Sequence, residues 1–443
     1  DVVWARLLKA FDARQRSLMK YVAKKGSSQL QPLSDKLLAV YAKPDTLADQ
    51  ASLAEGPYAA DIVSHGLTHL ARYSPEQARR LWSGYQEKLD FSAEQVHSVE
   101  YAIALRSLFA KSEENIPWLQ GALARLGEDK LVEIRLRWLL SEQDWPALQQ
   151  TLPMLSEEAR GDSAWRYWQA IAQEQSGEHE RASEALRSLA GERGYYSFLA
   201  ADKLEEPYAF NHQPLVLEAA ASEPLLKLPA VRRIEELRFH EEENLAHSEW
   251  FKVLQDTDDA DQHQQLAQLA AEQGWHRMAI DAANRAKAWN ALDLRFPTPY
   301  EETFKRHGSV QRVPSTELMA IARRESAFFP QARSPVGARG LMQIMPATGK
   351  QVAASIGRRH SGSDLYEVEH NVLLGSTYYR QLLDRFDRNR VFALTAYNAG
   401  PHRVDRWRNE PGEGVPVEVW IETIPYRETR NYVQAVLSYN VVF

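Results

Sequence analysis

The chain contains no cysteine among its 443 residues. This absence excludes disulfide bonds, thiolate nucleophiles and zinc sites built from cysteine. The 13 histidines form no His-Glu-x-x-His pattern, so the usual sequence signature of a zinc protease is missing as well. His65 and His69 have a spacing that can bind a metal ion, but no third ligand stands near them in sequence. We interpret this pair as structural and predict neither a metal site nor a cofactor.

Long apolar runs are also missing, since no stretch approaches the roughly 20 residues that cross a bilayer. The first residues, DVVWARLLKAFDARQR, lack the charged-then-apolar layout of a signal peptide. The sequence alone is therefore compatible with a cytoplasmic protein, a processed exported protein or a trimmed fragment. Runs of Val, Ile and Thr with period two are absent, whereas Ala, Leu, Glu, Gln and Arg dominate. We predict a nearly all-α protein.

Dense clusters of basic residues are absent too, so we do not expect nucleic acid as a partner. Positive charge is nevertheless richer in residues 297–443 than in the rest of the chain. This imbalance favours an anionic or polar polymer as partner, although ordinary variation of the surface explains it equally well.

Successive short amphipathic segments occupy the first half of the chain. Residues 164–190 read as two helices separated at Gly177, with tryptophans on the first and alanines on the second, similar to a tetratricopeptide-type hairpin. We favour a helical solenoid over an irregular bundle for this part. Prolines near positions 207–214 and 296–300 mark two boundaries. We predict three domains, 1–210, 211–295 and 296–443, and buried anchors at Trp250, Trp275 and Trp289.

The stretch from Ser315 to Pro346 combines a helical pattern with a carboxylate. Leu318, Ile321 and Glu325 share one helical face, and we predict that Ser315 caps the helix N-terminus. An acid in apolar surroundings has a raised pKa and can protonate the leaving oxygen of a glycosidic bond. The alternative from the residues alone is a helix-end glutamate paired with an arginine. After Pro330 the glycines predict a polar turn that ends at Gln343.

Four ordered motifs give the chain a family resemblance. They are Glu325-Ser326, Gly340-Leu341-Met342-Gln343, Ala396-Tyr397-Asn398-Ala399-Gly400 and the segment around Glu428. Together they resemble the soluble lytic transglycosylases of Gram-negative bacteria, which have a goose-type lysozyme-like catalytic domain. The resemblance implies a mostly helical α+β catalytic domain, a linker domain and a helical superhelix that is N-terminally incomplete in this chain.

This resemblance implies cleavage of the β-1,4 bond between N-acetylmuramic acid and N-acetylglucosamine in peptidoglycan, with a 1,6-anhydromuramoyl product. Glu325 would be the sole catalytic residue, first as acid and then as base. Peptidoglycan strands would be the partner and the periplasm the location, with association with other cell-wall enzymes open and a monomer favoured. A hydrolytic muramidase of the same fold and a non-catalytic helical scaffold are the alternatives.

Substrate-binding positions are carried over from the same motifs. They are Ser334, Gln343, Met345, Tyr397, Asn398 and Glu428. Met345 is equally well interpreted as core, and Tyr397 and Asn398 can instead brace Gly400. Glu422 is interpreted as structural, whereas Arg333 and Arg339 contact either the lactyl-peptide region of the substrate or solvent.

Overall fold

A computed structural model of the chain describes residues 2–215, 223–410 and 414–443. The all-α prediction is confirmed, because the described residues form helices joined by turns, and their β-structure is limited to isolated bridges at Arg333–Arg339 and Arg339–Ile344. The chain divides into two compact units, Asp1–Ala182 and Ser183–Phe443. No helix within the described ranges is long and apolar enough to cross a membrane.

The first unit is built from short helices with a tryptophan-rich and leucine-rich core. Its helices are α1 (Val2–Asp12), α2 (Arg16–Ala23), α3 (Gln31–Ala42), α4 (Gln50–Leu53), α5 (Ala59–Leu70), α6 (Pro75–Gln86), α7 (Ala93–Ala110), α8 (Ile116–Leu126), α9 (Asp129–Glu142), α10 (Trp145–Thr151), α11 (Glu157–Arg160) and α12 (Ser163–Gln175). Helix α7 begins with a reciprocal capping box between Ser92 and Gln95, which satisfies backbone donors that a helix start leaves open.

The predicted pair of helices at 164–190 is confirmed. Helix α12 buries Trp165 and Trp168, Gly177 adopts φ +83 in the turn, and α13 (His179–Ala190) follows. The positive φ is the conformation that glycine adopts without steric cost.

Separate contacts engage His65 and His69 in the first unit. His65 Nδ1 lies 2.7 Å from Asp12 Oδ1. His69 is buried and stacks on Tyr41 with ring centroids 4.9 Å apart. The His65 ring is therefore engaged in a hydrogen bond and the His69 ring in aromatic packing, which agrees with the structural interpretation.

The second unit contains the remaining helices. They are α14 (Tyr195–Leu204), α15 (Glu223–Leu226), α16 (Pro229–Phe239), α17 (Glu243–Asp256), α18 (Ala260–Glu272), α19 (His276–Arg285), α20 (Leu292–Arg295), α21 (Glu301–Gln311), α22 (Ser315–Ser326), α23 (Pro346–Ser355), α24 (Val368–Arg385), α25 (Arg390–Ala399), α26 (Pro401–Trp407), α27 (Val417–Glu422) and α28 (Arg427–Val442). This unit has two apolar cores, one between residues 225 and 294 and one between 280 and 436. The three predicted domains and the two boundaries between them remain predictions.

One of the three predicted tryptophan anchors is wrong. Trp250 and Trp275 are buried in the first of these cores, but Trp289 is 49% exposed. The Arg295 guanidinium lies 5.0 Å from the centre of the Trp289 ring. A tryptophan can lie at the surface when a cation covers its face, because the ring attracts positive charge.

Helix α22 has its carboxylate on the predicted face, but its start differs from the prediction. Pro314 occupies the N-cap position, and its carbonyl accepts hydrogen bonds from the backbone N–H groups of Glu317 and Leu318. Ser315 is therefore the first helical residue and not the cap. The helix ends at Ser326, and the C-cap residue Ala327 has a φ of +48 in the left-handed region.

Candidate active site

Glu325 lies one residue before the end of α22 and lines an open cleft of about 670 Å³. The cleft takes side chains from α17, α19, the end of α22 and the turns that follow α22. Its lining residues are Asn244, His247, Arg277, Glu325, Ser326, Phe329, Gln331, Ala332, Arg333, Ser334, Gln343 and Tyr366. Among these, Glu325 is the only carboxylate, so the described lining offers a single acid.

The pKa of Glu325 is raised to about 7, and loss of solvation on burial is the main cause. The nearby Tyr432 hydroxyl and the positive charge of Arg324 favour the ionised form and oppose this shift, whereas the negative charge of Glu428 adds to it. A carboxylate dominated by an arginine ion pair would have a lowered pKa. The upward direction therefore agrees with the buried-acid prediction rather than the ion-pair alternative.

Two tyrosines lie near the carboxyl, the partly buried Tyr397 and the buried Tyr432. The hydroxyl of Tyr397 donates a 2.8 Å hydrogen bond to the carbonyl of Met342, so its bond goes to the turn and not to Glu325. Tyr432 is the tyrosine whose hydroxyl interacts with the Glu325 carboxyl. Burial raises the pKa of both phenols well above the ordinary value, so both remain protonated donors across the physiological pH range.

The predicted turn is held close to the end of α22 by Ser326. Its hydroxyl donates to the carbonyl of Leu341 at 2.7 Å. From the other side, Arg277 on α19 donates to the backbone carbonyl of Ser326 at 2.8 Å. These two bonds fix the backbone next to Glu325, and they explain physically why a serine follows the acid.

Asn371 on α24 clamps the Gly340–Gln343 turn from behind. This fully buried side chain accepts from the backbone N–H of Met342 at 2.8 Å and donates to the carbonyls of Arg339 and Leu365. Gly340 has φ +76, and a Cβ there would lie 2.0 Å from the Leu365 carbonyl oxygen. The turn can therefore form only with glycine at this position.

The structure brings some of the predicted binding residues into the cleft and leaves others outside its lining. Ser334 and Gln343 line the cleft together with Glu325. Ser334 Oγ accepts from the backbone N–H of Ala338 at 2.9 Å, and Gln343 Nε2 donates to the carbonyls of Ala332 and Gly340. Both side chains thus shape the turn and contribute to the cleft wall.

The other four predicted residues are not among the residues that line the cleft. Met345 is 41% exposed, which disagrees with the core alternative. Asn398 Oδ1 accepts a 2.7 Å hydrogen bond from Thr429 Oγ1, beside the exposed Glu428. The negative charge of Glu428 raises the pKa of Glu325. Tyr397 binds the active-site turn through its hydrogen bond to the Met342 carbonyl.

Three further charged residues take different positions. Glu422 is buried and accepts hydrogen bonds from the Tyr196 hydroxyl and Gln434, which agrees with the structural interpretation. Arg339 donates to the Gly362 carbonyl at 2.8 Å, and its guanidinium lies 5.7 Å from the centre of the Tyr366 ring. Arg333 lines the cleft.

Sequence reasoning missed several residues of the site. Asn244, His247 and Arg277 come from α17 and α19, far upstream of the motif. No local spacing connects them to Glu325. Tyr432 is different, because it follows Glu428 by four residues on α28 and so shares its helical face. The four-residue spacing from Glu428 could therefore have indicated Tyr432 as a residue of the site.

The fold and site define a helical protein whose described cleft lining contains one glutamate with a raised pKa, and comparisons with known proteins agree with this class. Family models match three segments: the transglycosylase SLT domain at residues 302–415, the soluble lytic murein transglycosylase L domain at 224–292 and the soluble lytic transglycosylase helical domain at 423–443. The soluble lytic murein transglycosylase of Escherichia coli K12 is 30% identical over 444 residues, covering 99% of this chain and 68% of the relative. The Salmonella typhimurium protein of that name is also 30% identical, over 99% of this chain and 68% of the relative.

Solved structures show the same likeness. An inactive glutamate-to-glutamine mutant of the lytic transglycosylase Slt from Pseudomonas aeruginosa has a TM-score of 0.86 at 34% identity, over 99% of this chain and 72% of that one. The 70 kDa soluble lytic transglycosylase from Escherichia coli has a TM-score of 0.84 at 30% identity, over 99% of this chain and 71% of that one.

The chain belongs to the soluble lytic murein transglycosylase family. The predicted family, the fold class and the assignment to the lytic transglycosylase enzymes are thereby confirmed.

Proposed function

We propose that the protein cleaves the β-1,4 bond between N-acetylmuramic acid and N-acetylglucosamine in peptidoglycan and leaves a 1,6-anhydromuramoyl end. The observation that carries the proposal is Glu325, an acid with a pKa of about 7 and the only carboxylate among the described residues lining the cleft. Glycosidases that use water or an enzymic nucleophile normally need two carboxyl groups. A reaction whose nucleophile belongs to the substrate needs only one.

The reaction has two proton transfers, and Glu325 performs both. Protonated Glu325 gives its proton to the glycosidic oxygen as the bond from that oxygen to the muramic C1 breaks, which releases the N-acetylglucosamine hydroxyl. The muramic C6 hydroxyl oxygen then bonds to C1 and loses its proton to the Glu325 carboxylate. The acid is thereby regenerated, and no water is consumed.

The pKa of Glu325 suits this double role. A group with a pKa near the working pH donates and accepts a proton at similar cost. Burial and the charge of Glu428 favour the protonated form, while the Tyr432 hydroxyl favours the ionised form that exists between the two transfers. The opposed contacts keep the pKa close to neutrality.

The remaining predicted residues bind and orient the glycan in this proposal. Ser334 and Gln343 line the sugar cleft, and the Ser334 hydroxyl can donate to the N-acetyl or lactyl region. Exposed Met345 packs on a sugar face. Tyr397 holds the Met342 carbonyl of the turn. Asn398 orders the wall beside Glu428 through Thr429.

We place the protein in the periplasm, because murein is the named substrate of the relatives and lies in that compartment of Gram-negative cells. The 70 kDa soluble lytic transglycosylase, to which this chain is similar, has also been solved as a complex with bulgecin A. Association with other cell-wall enzymes and a monomeric state remain predictions.

Mass spectrometry of purified peptidoglycan after digestion tests the proposal. We expect muramic ends in the anhydro form, lighter by one water than reducing ends. Reducing ends would instead establish a hydrolytic muramidase. Absence of any cleavage by the wild type would leave the non-catalytic scaffold, so each alternative has its own product pattern.

A further inference from the structure

Two histidines and an aspartate lie together outside the cleft lining. His360 is in the loop that follows α23, Asp364 begins a short 3-10 turn (Asp364–Tyr366), and His370 is in the first turn of α24. One ligand atom from each residue lies within 4.8 Å of the other two. We propose that His360, Asp364 and His370 bind one Zn²⁺ ion that fastens this loop to the back of the active-site turn.

The spacing of the two imidazoles fits a shared ion. His360 Nδ1 lies 3.1 Å from His370 Nε2, and the rings are nearly parallel, with an interplanar angle of 6°. Zinc–nitrogen bonds of about 2.0–2.1 Å at a tetrahedral angle place two nitrogens roughly 3.3 Å apart. A small outward movement of either ring therefore suffices to admit the ion between the two nitrogens.

The ligand types select the metal. Two imidazoles and one carboxylate suit zinc and neighbouring transition metals, whereas Ca²⁺ and Mg²⁺ prefer oxygen ligands alone. Three protein ligands leave a fourth tetrahedral position for water. Zinc is the choice we make because it accepts this mixture of nitrogen and oxygen without a demanding geometry.

Surrounding contacts already hold the ligands in place. Asp364 Oδ2 accepts a 2.8 Å hydrogen bond from the backbone N–H of Ser361, which orients the carboxylate in the way that outer contacts of metal ligands do. His360 packs against Gly349 of α23 so closely that a Cβ there would lie 3.1 Å from Nε2. The site is thus built within one short segment, and binding needs little reorganisation.

The position of the cluster gives the ion a structural role. The loop carbonyl of Gly362 accepts a hydrogen bond from Arg339, and that of Leu365 accepts one from Asn371. Asn371 follows His370 directly and clamps the active-site turn. An ion that joins loop and helix would therefore stabilise the cleft wall from behind. Sequence spacing alone predicted no such site, because the loop geometry that brings His360 to His370 is not encoded in a local repeat.

Titration of the full chain with metal alone tests the inference. After treatment with a chelator and its removal, Zn²⁺ binding is measured by calorimetry, and Co²⁺ is used as a probe because tetrahedral Co²⁺ absorbs visible light. We expect one site. Loss of a residue that only supports a metal ligand lowers metal affinity by roughly 10–100-fold. Because His370 and Asp364 are proposed as direct ligands, His370→Gln and Asp364→Asn should each weaken Zn²⁺ binding by at least that factor. His240→Gln, which removes an exposed histidine beside Glu236 on another surface, should leave it unchanged.

Thermal unfolding of the same variants separates binding from folding. Zn²⁺ should raise the Tm of the wild type and of His240→Gln but not that of Asp364→Asn, whose metal-free Tm should match the wild type because asparagine keeps the acceptor for Ser361. The inference is overturned if the wild type shows no saturable one-to-one binding. It is equally overturned if His370→Gln binds Zn²⁺ as tightly as His240→Gln does.

Discussion

Glu325 should reduce the stability of the folded chain at alkaline pH, and its glutamine variant should relieve that cost. The folded-state pKa is about 7, against an ordinary value of 4.5. The unfolded chain therefore releases this proton at lower pH than the folded chain does. The contribution of this proton to the free energy of unfolding is therefore fully present below about pH 4.5, and it is lost as the pH rises from there through about 7.

The size of the effect follows from the shift. Each pKa unit corresponds to about 1.36 kcal/mol, so a shift of about 2.5 units costs the wild type about 3 kcal/mol at pH 8 and less than about 1 kcal/mol at pH 5. Glutamine cannot ionise and does not carry this pH-dependent term. The stability of Glu325→Gln relative to the wild type should thus increase by about 2 kcal/mol or more between pH 5 and pH 8.

Urea unfolding of the wild type and of Glu325→Gln at pH 5 and pH 8, followed by tryptophan fluorescence, measures this difference. Any constant effect of the amide cancels when the two pH values are compared. Glu302→Gln is the matched control, because its side chain is 88% exposed and its replacement should give a difference close to zero. A Glu325→Gln difference that stays constant with pH would refute the raised pKa.

Two further predictions concern the pH profile and the active-site turn. The kcat/KM of the wild type should fall as the pH rises through about 7. Tyr432→Phe should move that fall to higher pH, and Glu428→Gln should move it to lower pH, because the two side chains have opposite effects on the pKa of Glu325. Shifts of both variants in the same direction would contradict these effects. Gly340→Ala should lower the unfolding free energy by roughly 2–5 kcal/mol in a denaturant titration, through strain and a clash with Leu365. Gly337→Ala, with φ +98 but open space, should cost only the strain, and equal losses would rule out the clash.

Local sequence patterns predicted the helical fold and the position of the acid. The 3.6-residue period alone was enough to predict the apolar face of α22. In the structure Leu318 and Ile321 are fully buried on that face, and Glu325 is partly exposed at the cleft. The prediction that Ser315 caps α22 was wrong, because the carbonyl of Pro314 accepts the first hydrogen bonds of the helix. A serine side chain is not required there.

Longer-range features could not be predicted in this way. Arg277 contacts Ser326 from a helix about fifty residues upstream, and Asn371 holds the turn from a helix downstream. Such contacts depend on how helices pack, which spacing along the chain does not reveal. The size and apolar character of Trp289 favour a position in the core, but Arg295 covers its face at the surface.

One glutamate performs both proton transfers in the proposed reaction, and a comparison of two amide variants distinguishes this from a reaction with two carboxylates. Turnover of purified peptidoglycan by Glu325→Gln and Glu428→Gln is measured against the wild type, with product masses recorded. Glu325→Gln should release no product, whereas Glu428→Gln should retain activity and still leave anhydro ends, because Glu428 influences Glu325 through its charge and transfers no proton in the proposed reaction. Equal loss of activity in the two variants would show that a second carboxylate takes part, and it would contradict the account.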